Sequence, residues 1–94
     1  QYGAIEHFLK ARSIDPGYQK VHHNLATVLY MVGRLPDALD AVDDALNLAP
    51  RNKGSLLLKG TILDSLGRSA EAEKIRDQAE FLPDGNWSER SAIQ

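Results

Sequence analysis

The sequence predicts an all-α fold, an open right-handed solenoid of stacked antiparallel helix pairs, and three observations predict it. Small residues return every 34 positions, as Ala4, Ala38 and Ala72 and again as Ala11, Ala45 and Ala79. Punctuation recurs in the same phase, pairing Pro16 with Pro50, Gly33 with Gly67, Arg34 with Arg68 and Thr27 with Thr61. Between these landmarks the apolar residues follow helical spacing. Val21, Leu25, Val28, Leu29 and Val32 lie three, four or seven apart and build one apolar face. A fixed period of this length marks a repeat architecture.

Each element follows from this pattern. Residues 1–14 read as a lone second-type helix, closed by the turn residues Asp15, Pro16 and Gly17. Residues 19–32 form the first helix of a pair, and Gly33 supplies the left-handed position that ends it. Residues 36–48 form its mate. Pro36 suits the first turn, and Asp37 meets the positive helix end. Pro50 and Asn52 make the next turn, with Asn52 as an N-cap. The cycle repeats over 53–66, Gly67 and 69–81, with Ser69 expected to cap the last helix. Domain organisation is then 1–18 for a half unit, 19–52 and 53–84 for full units, and 85–94 for a tail. The chain starts in mid-unit, which reads as a piece of a longer array.

The small residues have a packing reason. Ala26 and Gly60 stand 34 apart in the first helices, opposite Ala38 and Ala72 in the second. Helix axes approach closely only where side chains stop at a methyl or less.

With these residues in place, the sequence resembles the tetratricopeptide repeat family, whose unit is two antiparallel helices. The matching residues are Leu25, Ala26, Leu29, Gly33, Ala38, Val42, Ala45 and Pro50 in one unit. Gly60, Leu63, Gly67, Ala72 and Ala79 match in the next, and Ala4, Phe8, Ala11 and Pro16 in the half unit. Some slots depart from the pattern. His22 and Leu56 hold an aromatic slot, Lys59 a leucine slot and Arg76 a later aromatic slot, while Pro83 comes one residue early. These departures soften the second unit. In the tail, Trp87 either caps the array or begins a further repeat, since terminal repeats need a covered outer face.

Composition narrows the function. The chain is 43% hydrophobic and 26% charged with a net charge of −2, which is globular and lacks the basic stripe that nucleic acid requires. It has no cysteine, which excludes thiolate and disulfide chemistry. No apolar run reaches the roughly 18 residues of a membrane span.

Chemistry-bearing residues are few. His22 and His23 are adjacent, so on a helix they point about 100° apart and cannot chelate one metal; no metal or cofactor is expected. Asp37, Asp40, Asp43, Asp44, Glu71 and Glu73 lie on second helices, whose outer face is wet. Paired-carboxylate catalysis needs burial or a close charge to move a pKa. Gly33-Arg34 and Gly67-Arg68 are helix ends, without the strand-to-helix setting of a phosphate loop. Asn86-Trp87-Ser88 matches a glycosylation sequon by chance.

The family resemblance implies a protein or peptide partner, held on the concave surface by the second, fifth, ninth, twelfth and thirteenth residues of each unit. Here these are Lys20, His23, Thr27, Tyr30 and Met31, then Gly54, Leu57, Thr61, Asp64 and Ser65. The partner-binding set expected to matter is Lys20, His23, Thr27, Tyr30, Met31, Leu57, Thr61 and Asp64. An exposed Leu57 makes sense if a peptide or helix covers it. Some family members clamp a terminal carboxylate with Lys, Asn and Arg. Asn24 matches one clamp position, but Gly54 and Leu58 stand where basic members are needed, so the clamp is absent. The expected function is a non-catalytic interaction scaffold of about micromolar affinity. The alternative is a regulatory or substrate-docking arm of an enzyme whose catalytic domain lies outside these residues. Self-association through the exposed terminal helices is a third expectation.

Overall fold

The computed structural model describes residues 2–83, with the backbone alone for Tyr2. Five helices follow one another, α1 (Tyr2–Ile14), α2 (Gln19–Met31), α3 (Leu35–Leu48), α4 (Lys53–Ser65) and α5 (Ser69–Glu80). No described residue lies in a strand. All five fall within a residue or two of the ranges expected from the apolar spacing. Residues 84–94 lie outside the described part, so the role expected for Trp87 lies there too.

Pairing follows the repeat. α2 packs against α3 and α4 against α5, while α3 also packs against α4 and α1 against α2. The core runs through these contacts. Leu25, Ala26, Ala38, Val42, Ile62 and Leu63 are at most 1% exposed. Four of the six 34-residue alanines behave as the packing argument requires, since Ala38, Ala45, Ala72 and Ala79 are completely buried, while Ala4 and Ala11 in α1 are partly exposed. Gly60 sits at a close crossing of α4 and α5, where a Cβ would stand 3.2 Å from Arg76 Cγ and 3.6 Å from the Ala72 carbonyl oxygen.

The two glycines end the first helices by one mechanism. Gly33 has φ of 83° and Gly67 of 79°, conformations that a side chain would strain. Around Gly33, the Arg34 N–H donates to the Leu29 carbonyl at 2.9 Å and the Gly33 N–H to that of Tyr30 at 3.0 Å. Around Gly67, Arg68 donates to Leu63 at 2.8 Å and Gly67 to Asp64 at 3.0 Å. These are paired Schellman bonds, which satisfy carbonyls left over at a helix end.

N-termini differ more than the sequence suggests. Asn52 caps α4 as expected, its side-chain oxygen accepting the Ser55 N–H at 2.9 Å. Ser69 does not cap α5. It is the first helical residue, and Arg68 occupies the cap position without a side-chain cap bond. Arg68 instead reaches forward to Glu71 with two hydrogen bonds of 2.8 Å, tying down the first turn through charge. Arg34 and Asp37 repeat the arrangement at the start of α3, where Pro36 is the second helical residue.

Candidate functional site

The first helices α2 and α4 lie side by side and touch near their N-terminal ends. What joins them is a buried polar cluster. Gln19 Nε2 donates to Ser55 Oγ at 3.1 Å, and His23 Nδ1 lies 2.9 Å from the same oxygen. Ser55 is wholly buried and Gln19 is 8% exposed. A hydroxyl has one proton and two lone pairs, so Ser55 can accept from Gln19 and still hydrogen-bond a neutral His23 ring. Burial pushes the His23 pKa below its ordinary value, which favours that neutral ring. Sequence reasoning missed Gln19 and Ser55. The available signal was a break in the period, since Ser55 stands where the preceding unit has Val21.

His22, in the aromatic slot of the first full unit, is packed inside the molecule. It is 5% exposed, and its Nε2 donates to the Pro16 carbonyl at 2.7 Å, pinning the turn between α1 and α2. That bond places the proton on Nε2, because a carbonyl can only accept. The two adjacent histidines thus serve different contacts.

The structure divides the expected partner-binding residues. Met31 and Leu57 are exposed apolar side chains, at 58% and 41%. Lys20 is half-buried and faces the groove between α1 and α2. Thr27 and Thr61 direct their hydroxyls back to the carbonyls of His23 and Leu57, at 3.0 and 3.1 Å. Tyr30 packs partly against the core. Asp64 is held in an ion pair with Arg76 at 2.6 Å. Gly54 and Ser65 are exposed. Asp64 is therefore occupied within the chain, while Met31 and Leu57 offer the accessible apolar surface of this set.

A second concavity lies between α1 and α2, with a volume of about 460 Å³. His7, Phe8, Ala11, Ile14 and Asp15 line it from the α1 side. Among the described residues, no group of three or more His, Cys, Asp or Glu side chains is placed to hold a metal ion. Nor is any described helix long and apolar enough to cross a membrane.

No family model and no curated protein matches the sequence. Solved structures do match. A mutant of MamA is 26% identical with a TM-score of 0.77, covering 83% of this chain and 57% of its own. A structure of MamA AMB-1 is 25% identical with a TM-score of 0.77, covering 81% and 45%. A further crystal structure of MamA reaches a TM-score of 0.78 over 96% of this chain and 50% of its own at 19% identity, a likeness of fold alone. The chain thus spans about half the length of the structures it resembles. By fold it is a tetratricopeptide-like helical solenoid, similar in structure to MamA over most of its length.

Proposed function

We propose that the chain is a non-catalytic protein-interaction module whose surface of first helices, α2 and α4, receives an extended or helical segment of a partner. The observation that carries this reading is the exposure of Met31 and Leu57 on those two helices. Apolar side chains on such a surface gain free energy only when another chain covers them. Thr27 and Thr61 stand one helical turn from Met31 and Leu57 respectively, and the His23–Ser55–Gln19 cluster holds the two helices in fixed relation. Such a surface binds through a few anchors, so truncating the anchors removes most of the affinity. A docking arm of an enzyme would use the same surface, and the reading holds whatever lies beyond residues 1–94.

The test is a displayed peptide library selected on the 94-residue chain, with the footprint of the binders mapped by amide NMR shifts. Shifts are expected at Met31, Leu57 and their neighbours on α2 and α4. A Met31→Asp, Leu57→Asp double variant is expected to lose binding while keeping its helical circular dichroism. Binders that map elsewhere, or that tolerate the double variant, overturn the reading.

A further inference from the structure

The polar cluster between α2 and α4 holds an acceptor that its present hydrogen bonds leave idle. Gln19 donates through Nε2 to Ser55 Oγ at 3.1 Å, while its Oε1 is buried without a hydrogen-bond partner among the described residues. Ser55 is wholly buried, and His23 Nδ1 lies 2.9 Å from the same hydroxyl. Gln19 and His23 stand on α2 and Ser55 on α4, so both bonds cross from one unit to the next. The His23 ring also sits against the start of α4, since a Cβ on Gly54 would stand 3.9 Å from its Cε1.

The three groups differ in what they can offer. An amide has a donor end and an acceptor end of similar size, so turning it end for end exchanges them in place. A hydroxyl can point its one proton either way. A neutral imidazole accepts at one nitrogen, whereas a charged one only donates. Protonation of His23 therefore denies the Ser55 proton an acceptor on the ring. A turned Gln19 supplies another, because Oε1 then stands where Nε2 stood. The turned amide has an N–H to offer on the side that Oε1 has left. His22 Nδ1, one turn along α2, is a second buried atom without a partner among the described residues, and it is an acceptor because Nε2 donates to Pro16.

We infer that Gln19, Ser55 and His23 form a reversible hydrogen-bond chain, a pH switch that turns over when His23 is charged and keeps α2 joined to α4 in both states. With the ring neutral, Gln19 Nε2 donates to Ser55 Oγ and the Ser55 hydroxyl donates to His23 Nδ1. With the ring charged, His23 Nδ1 donates to Ser55 Oγ and the hydroxyl donates to Gln19 Oε1. The only proton gained is the one on Nδ1; Ser55 keeps its own and points it the other way. Burial holds the His23 pKa below its ordinary value, which sets the turnover on the acid side of neutrality. Charged groups of both signs surround the helix. Lys20 precedes His23 by one turn on α2, and Lys53 opens α4, whose Lys59 and Asp64 pair with Asp43 and Arg76. His7 and Asp15 line the α1 side of the groove that Lys20 shares, and Asp37 and Asp40 of α3 line a separate cleft beside Leu25 and Leu29. The switch adds a positive charge to the surface of first helices without loosening the joint between units. It operates whether or not that surface receives a partner.

Nuclear magnetic resonance of the 94-residue chain from about pH 8 to about pH 4.5 tests this, following the histidine ring nitrogens and the Gln19 side-chain amide together. The neutral His23 ring is expected to carry its proton on Nε2. The Gln19 amide signals are expected to move with the same midpoint as His23, while the Ser55 and Leu56 backbone amides keep their protection from exchange. Gln19→Leu, which offers the Ser55 proton no acceptor, is expected to lower the proton affinity of His23 about threefold, in keeping with one neutral hydrogen bond. Ser55→Ala is expected to uncouple the Gln19 signals from the His23 titration, and it carries the test alone if Gln19→Leu does not fold. Gln19 signals that stay flat while His23 titrates in the unaltered chain overturn the inference. So does coupling that survives Ser55→Ala, or a His23 proton affinity unchanged or raised in Gln19→Leu. Protection lost at Ser55 and Leu56 as the ring charges would mean that the proton breaks the joint, and likewise overturns it.

Discussion

The two helix pairs share a period but are held together differently. In the first, 19–52, α2 and α3 meet through aliphatic and alanine side chains, with Leu25, Ala26, Ala38 and Val42 fully or almost fully buried. In the second, 53–82, only Ala72 and Ala79 of α5 are buried. Ion pairs occupy what would otherwise be apolar slots. Lys59, the counterpart of Leu25, pairs with Asp43 of α3 at 2.7 Å, and Arg76 lies over Gly60 and pairs with Asp64. Surface ion pairs contribute about 0–1 kcal/mol each, whereas a buried leucine contributes about 1.5–3. The second pair therefore depends more heavily on the few aliphatic residues of α4.

That contrast can be strained from several sides. Leu63→Ala, at a site 1% exposed, is expected to cost about 2–5 kcal/mol in a denaturant titration. Hydrogen exchange in this variant should show α4 and α5 opening ahead of α2 and α3; simultaneous opening would show that the pairs are not separable. Asn52→Ala removes the only side-chain cap found among the described helices with a defined cap residue, at about 1 kcal/mol. Ser69→Ala should change stability by no more than a few tenths, and an equal loss in both variants would restore Ser69 as a cap.

Gly60→Ala would give the second unit the residue that the first has at Ala26. Helix propensity favours alanine by about 1 kcal/mol, and the crowded neighbour is the flexible stem of Arg76. A net gain of about 0.5 kcal/mol is expected, raising the thermal midpoint by a few degrees. A loss would mean that Arg76 cannot move aside. A double-mutant cycle on Lys59 and Asp43 should give a coupling of about 0.5 kcal/mol that falls in 1 M salt. The smallest effect belongs to pH. The His23 pKa is lowered by burial, so the unfolded chain takes up more protons as pH falls through about 6.5. Stability should therefore decline from pH 7 toward 5, and His23→Gln should flatten that slope.

Much of the fold is legible in the residues themselves. The helix ends at Gly33 and Gly67 follow from backbone sterics, which are local, and both glycines adopt the left-handed conformation their place demands. The Asn52 cap is equally local. Ser69 misled because serine suits a cap by type, yet the chain enters α5 one residue earlier and uses the Arg68–Glu71 pair instead. The candidate surface was less legible. Its expected positions came from the family resemblance, and residue type alone could not reveal that Asp64 would be taken by Arg76, twelve residues away. Nor could it show that Ser55 would receive both Gln19 and His23, because that cluster forms only when α2 and α4 lie together.

By itself, then, the sequence determined the repeat, the five helices and the small residues at their crossings, since periodicity and backbone preference are written residue by residue. Tertiary structure decided which polar groups are consumed inside the molecule and which side chains remain for others. It left Met31 and Leu57 exposed on the first helices, and it joined α2 to α4 through the buried Ser55 hydroxyl. Those outcomes depend on distances between residues far apart in the chain, and such distances exist only once the helices have packed.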